Sequence, residues 1–284
     1  MPCECKRNVH QHLRHPKKEG IANELFILLD EQKGANTIQG KNRGGKMPDH
    51  QLEKEGFSIV ALGNFNPTIF QPRWFAVHNL IREDEADAAK IEIIHREAAI
   101  FTTGWLTLQV TEGNFTAVTQ DPTKSLPLRD LAMGTFKLLE HTPIVAFGFN
   151  GFGHFKAVSE ESWHAFGHYY APKDAWEVVL KNPGLLKLEL EGKREGYDDR
   201  IQIRIESSPP NLVLMGIMIA VNQHREITKN AQGTETSTQE RNKAFLSGLQ
   251  NDWDGFLQYA KEARNHLLTA GFSHSAKPAK KRKS

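Results

Sequence analysis

The chain has 284 residues, 39% of them hydrophobic and 25% charged, with a formal net charge of +2, the composition of an ordinary globular protein with one large or two small domains. The positive balance sits at the ends: residues 1–50 carry nine Lys/Arg against six Asp/Glu, and residues 277–284 carry five cations, which leaves −6 for residues 51–276. An acidic core argues against a folded nucleic-acid face, no stretch reaches the roughly 20 apolar residues of a membrane helix, and a core without cysteine excludes a disulfide framework or a thiol nucleophile there.

Residues 1–50 are rich in Lys, Gly, Asn, Gln and His and show no sustained periodicity, which reads as a disordered basic N-terminal extension. The apolar residues 24–29 are too few for a signal peptide, so a cytoplasmic location is expected. Met47 stands just before the first convincing strand and is an expected alternative start. The folded core then spans residues 51–272, with a disordered basic tail over 273–284.

Residues 57–62 read as a buried strand. The stretch 64–75 reads as a loop, Pro67 and Pro72 opposing a helix. Residues 91–96 and 98–102 predict strands, and 105–110 and 115–119 alternate around a turn at Glu112-Gly113-Asn114. A helix is predicted over 126–140, with Ser125 as its cap, Pro127 in its first turn, and Leu128, Leu131, Thr135, Leu138 and Leu139 as its buried stripe.

A strand over 144–150 follows, then short helices around 159–170 and 173–180. Strands are predicted over 185–191, 201–206 and 212–221. Ser237 and Glu240 form a capping box that opens one long helix reaching Gly271, weakened by Gly248 and Gly255. The order strand-strand-strand-helix therefore occurs twice. The fold class is α+β with antiparallel sheets; the repeated order suggests two related halves over 57–150 and 151–272, each sheet covered by its long helix, with coincidence the plain alternative because meanders followed by helices are common.

His154, His164 and His168 are the candidate metal ligands. His164 and His168 stand at i and i+4, which places two imidazoles on one helix face, as zinc requires. Ala165 follows His164, so the general-base glutamate of a helical zinc protease motif is missing. The plainer reading is histidines bonded to backbone in an aromatic surface, so no cofactor is expected, zinc being the one metal these residues suggest. Cys3, Cys5, His10, His12 and His15 have ligand chemistry without the usual spacing. Gly34 to Lys41 misses a phosphate-binding loop in spacing, and Asn42 replaces the magnesium-binding hydroxyl. The glycines of residues 148–153 fit a tight turn or close packing, and Asp198 and Asp199 fit a solvated hairpin connection. Phe70, Arg73, Trp74 and Phe75 form a candidate interface, since aromatics beside arginine are typical anchors. A loop folding these rings onto the core is the plain alternative.

Three stretches carry a resemblance: Asn66-Pro-Thr-Ile-Phe-Gln-Pro-Arg-Trp-Phe75, Leu128-Arg-Asp-Leu131 with Leu139-Glu-His-Thr-Pro143, and Ser162-Trp-His-Ala-Phe-Gly-His168 with Ala171-Pro172. Together they resemble a family of uncharacterised bacterial proteins with no assigned activity, over residues 57–226. The resemblance implies a bacterial cytosolic origin and no catalytic residues. The expected function is a non-enzymatic binding protein whose partner is another protein, without membrane association and with nucleic acid held at most weakly by the basic tails. The alternatives are a metal-dependent or acid–base enzyme centred on His154, His164 and His168, and a binder of small apolar ligands in a cavity beneath the C-terminal helix.

Overall fold

The computed structural model describes residues 49–273, Asp198 and Ala231 excepted. The Cys3/Cys5 cluster, the Gly34 loop, Met47 and the Lys277 tail lie outside those residues. The two longest strands, β1 (His50–Gly63) and β6 (Ile144–Ala157), are 14 residues each and run antiparallel to one another. Four short strands follow β1 in a meander: β2 (Lys90–Ile94), β3 (Ala98–Thr102), β4 (Thr107–Thr111) and β5 (Asn114–Thr119). Three follow β6: β7 (Lys187–Lys193), β8 (Arg200–Ser207) and β9 (Gly216–Glu226). Each meander runs from an edge inward, so the described residues make one nine-stranded sheet of order β2-β3-β4-β5-β1-β6-β9-β8-β7.

The α+β class with antiparallel pairing is as the alternation implies. The two meanders nonetheless share a single sheet instead of building one each, because β1 and β6 pair with each other. β6 runs straight through the 150/151 division. Its glycines serve close packing within the strand, not a turn: a Cβ on Gly151 would lie 3.1 Å from Cβ of Ala260.

Six helices belong to the described residues: α1 (Pro72–Val77), α2 (Glu83–Asp87), α3 (Ser125–Leu138), α4 (Glu160–Tyr170), α5 (Thr238–Asn251) and α6 (Trp253–Ser273). One cross-strand row explains where they pack. Phe101, Leu108, Ala117, Ile59 and Phe149 lie opposite one another across β3, β4, β5, β1 and β6. All are buried in the same cluster as Leu128 and Phe136 of α3, Phe245 and Leu249 of α5, and Trp253 and Phe256 of α6. Burying each of the leucine, isoleucine and phenylalanine side chains contributes on the order of 1.5–3 kcal/mol. A second cluster joins Phe155, Ile205 and Ile219 of the sheet to Phe166 of α4 and Leu268 of α6.

Local details depart from the expectations for identifiable reasons. Pro72 opens α1 at its first turn, where its missing N–H costs nothing. Asp121, not Ser125, supplies a side-chain cap in the turn before α3, and Phe136 replaces Leu138 in the buried stripe. Residues 173–180 form turns and no helix. The C-terminal helix is interrupted at Asp252, whose carboxylate is drawn to Arg225 of β9 at 2.8 Å.

Two helical glycines give substitutions of opposite sign. A Cβ on Gly248 would lie 2.5 Å from Cζ of Phe147, a ring fixed in the core, whereas at Gly255 none of the described residues comes within 4 Å. Gly255→Ala should therefore stabilise by up to about 1 kcal/mol through helix propensity, and Gly248→Ala should destabilise by about 1–3 kcal/mol through overpacking. Urea midpoints of the two variants against wild type check this; equal shifts of the same sign would refute it.

Candidate functional site

The three candidate histidines are not brought together. His154 lies on β6, His164 and His168 on α4. Among the described residues no group of three or more His, Cys, Asp or Glu side chains is placed to hold a metal ion. His164 is exposed, with Nε2 3.5 Å from Glu160 of its own helix. His168 accepts a 3.4 Å hydrogen bond at Nδ1 from the Lys173 backbone.

His154 is buried, and its Nδ1 lies 2.9 Å from Oγ of Ser208. A hydroxyl against an imidazole is the start of a nucleophile–base pair. The surroundings oppose that role. Burial, and then the ammonium of Lys54 on the neighbouring strand, push the imidazole down to about 4. A general base must accept a proton, and here its protonated form is disfavoured by both causes. The pair acts as a satisfied buried hydrogen bond linking β6 to the connection before β9.

Around it, the face of the sheet away from the helices is polar. One row crosses six strands through Val118, Ser58, Asn150, Asn222, Gln202 and Glu191. Asn222 Nδ2 donates to Asn150 Oδ1 at 2.6 Å, Asn150 Nδ2 donates to Ser58 Oγ at 2.9 Å, and Gln202 Nε2 donates to Glu191 Oε2 at 3.0 Å. The first two bonds satisfy the buried Asn150 and Ser58, which explains why they tolerate burial, whereas the Gln202–Glu191 bond is exposed.

Asp199, expected to face water, is instead buried at the β7–β8 turn. There Arg225 donates to both its oxygens at 2.5 and 2.7 Å, and Gln223 donates a third bond. The hydrogen bonds to Asp199, opposed by burial and helped by the charges of Asp199 and Asp252, raise Arg225 above the ordinary arginine value, and Phe147 lies beneath the guanidinium. The network ties β9 to the α5–α6 junction through Asp252. No signal in sequence separates this aspartate from Asp198, because its partner stands 26 residues away.

The candidate interface at Phe70, Arg73, Trp74 and Phe75 is corrected by burial. Phe70 and Phe75 are core residues, packed with Phe65, Phe101 and Phe115. Trp74 is partly covered, and Arg73 alone extends into solvent, 3.4 Å from Glu83. Pro72 turns the chain into α1, which carries Phe75 inward, while Phe70 is buried at the end of the short 3-10 turn Pro67–Ile69 that precedes it. Among the described residues a void of about 70 Å³ lies between α4 and the β8–β9 strands, lined by Trp163, Phe166, Leu185, Ile205 and Ile217. Small-molecule sites take roughly a few hundred Å³.

Exposed apolar surface is concentrated instead around the β7 edge. Leu190, on the outermost strand of the described residues, is 64% exposed, and Leu186, immediately before that strand, is 84% exposed. The connection leading into it exposes Trp176 (56%), Val178 (88%), Val179 and Leu180. Lone exposed leucines are ordinary, but a run of large apolar side chains from Trp176 to Leu190 beside an open edge is what a docking surface presents.

The buried imidazole predicts a pH dependence. The folded state keeps His154 neutral, while the unfolded chain protonates it near 6.5, so its contribution is complete above that value and is lost as pH falls towards about 4. His50 and His224, both lowered chiefly by burial, act in the same direction. Between about pH 7.5 and 5, His154 alone should account for a loss of about 2 kcal/mol. Urea unfolding at both values measures it, and His154→Gln should remove that part of the slope; a slope unchanged in the variant would count against it. No family model matches the chain, and no curated protein matches it.

Proposed function

We propose that this chain is a non-enzymatic binding protein, cytoplasmic and bacterial as the resemblance of its core stretches implies, that engages another protein through the β7 edge. The observation that carries the reading is the coincidence of a regularly paired strand at the edge of the sheet that the described residues form with exposed Trp176, Val178, Leu186 and Leu190. An extended segment added to such an edge gains main-chain hydrogen bonds, and the exposed side chains give it specificity. No helix of the described residues is long and apolar enough to cross a membrane, and the interaction needs no metal or cofactor.

The double variant Leu186→Lys/Leu190→Lys tests it, since both side chains are already in solvent and their loss leaves the core intact. The wild-type chain, affinity-purified under native conditions, should retain a protein in fixed stoichiometry, a second copy counting as one. The variant should retain at least about tenfold less at an unchanged melting temperature. Identical recovery by both chains would sink the reading.

A further inference from the structure

The β7 edge is complementary to itself. β7 reads Lys187-Leu-Glu-Leu-Glu-Gly-Lys193, and every residue of it pairs with β8 without a bulge. Leu188 and Leu190 stand opposite Ile205 and Ile203, on the helix-bearing face, while Lys187, Glu189 and Glu191 stand on the polar face. Leu186, immediately before the strand, continues the apolar set by alternation.

Two copies related by a two-fold axis normal to the sheet would place like faces opposite one another, so the allowed registers differ by the residue on the axis. Each can be judged by charge, because like charges directly opposite are destabilising and opposite charges stabilising. With Lys187 on the axis, lysine meets lysine. With Glu189 or Glu191 there, glutamate meets glutamate. With Leu190 there, Lys187 meets Lys193 and Glu189 meets Glu191. With Leu188 on the axis, each Lys187 meets Glu189 of the second copy, each Leu186 meets Leu190, Leu188 meets itself, and Leu185 falls opposite Glu191. Of the registers centred from Lys187 to Glu191, that one alone opposes no like charges, and it covers the two most exposed leucines of the edge.

The other edge also exposes Ile91 and Ile93, but it is shorter and irregular. β2 has five residues, and its pairing with β3 shifts register between Ile91 and Ile93. An irregularity of this kind twists an edge away from further pairing.

We propose that the chain forms a homodimer by antiparallel β7–β7 pairing about Leu188, which joins two nine-stranded sheets into one. The inference rests on the reading of β7 as a protein-binding edge and names its occupant as a second copy. Isologous pairing of this sort closes at two chains and uses up both edges, which is how a two-fold interface avoids an open filament.

Charge exchange on the full chain provides the test. In sedimentation velocity over about a hundredfold concentration range, the wild type should reach the dimer mass, and Lys187→Glu or Glu189→Lys alone should raise the dissociation constant at least about tenfold. Mixing the two single variants should restore a dimer, because positions 187 and 189 are then both acidic in one chain and both lysine in the other. Restoration on mixing also shows that both variants are folded, and a role confined to the Lys187–Glu189 contact within one chain (2.7 Å) would not produce it. A wild type that stays monomeric throughout, or a dimer that both substitutions leave unchanged, overturns the proposal. The wider reading fails separately, only if the leucine variant retains the same proteins as wild type.

Discussion

The pairing of β1 with β6, from His50 opposite Ala157 to Gly63 opposite Ile144, is the constraint on which the rest of the architecture depends. Each meander has to return beside its own opening strand, so once those two strands are joined the sheet can only grow outward in both directions. Close approach along this seam depends on small residues. A Cβ on Gly56 would lie 2.5 Å from the Phe152 ring, and one on Gly153 would crowd Phe155 and Arg264. Glycine weakens a strand interior in general; here it allows rings of one strand to lie over the backbone of the next, and lets α6 approach β6 through Ala260.

With the helices on one face, the polar connections between layers become decisive. Arg264 of α6 is almost wholly buried and donates to Glu55 of β1 at 3.0 Å, while its Nε and Nη1 have no hydrogen-bond partner among the described residues. Burial lowers this arginine and Glu55 opposes the shift. At the junction between α5 and α6, Arg225 is paired with two carboxylates and lies over Phe147. Breaking such a pair by removing one partner costs about 3–5 kcal/mol, although the intact pair adds little over an apolar substitute. These ion pairs therefore act on geometry. They fix where the long helices sit along the sheet, and the interruption at Asp252 follows from that requirement.

Periodicity makes most of the sheet legible, because strands such as β4 and β8 alternate between a helix-covered face and a polar one. Residues 201–205 carry that pattern in full, and β8 is where they place it. Three kinds of feature are not legible. Prolines mark where a helix cannot continue, but Pro72 also marks where one can begin, and that ambiguity hides the burial of Phe75. Long-range partners are invisible, so Asp199 cannot be told from a solvated loop aspartate. The first residues of β1 are charged and lack alternation. Their strand conformation comes from pairing with residues 151–157 of β6, which no local pattern encodes. At the candidate interface the aromatic composition is right for an anchor and the location wrong. The apolar residues 176–180 read as a helix, whose buried stripe would account for them. As turns that leave Trp176, Val178, Val179 and Leu180 exposed, they are surface.

That exposed surface lies beside one of the two edges that a nine-stranded antiparallel sheet must have, and selection against uncontrolled pairing acts on both. β2 meets the demand with five residues and a register shift. β7 has seven residues, regular pairing and exposed leucines, and its charges run Lys187, Glu189, Glu191 and Lys193. Lysines at an edge repel most incoming strands, yet a lysine followed two residues later by a glutamate favours a strand that presents the reverse order. An antiparallel copy of β7 is such a strand. The same two charges that keep the edge from general association thus select a partner, and the selection is written in a stretch of sequence short enough to be reversed by exchanging two side chains.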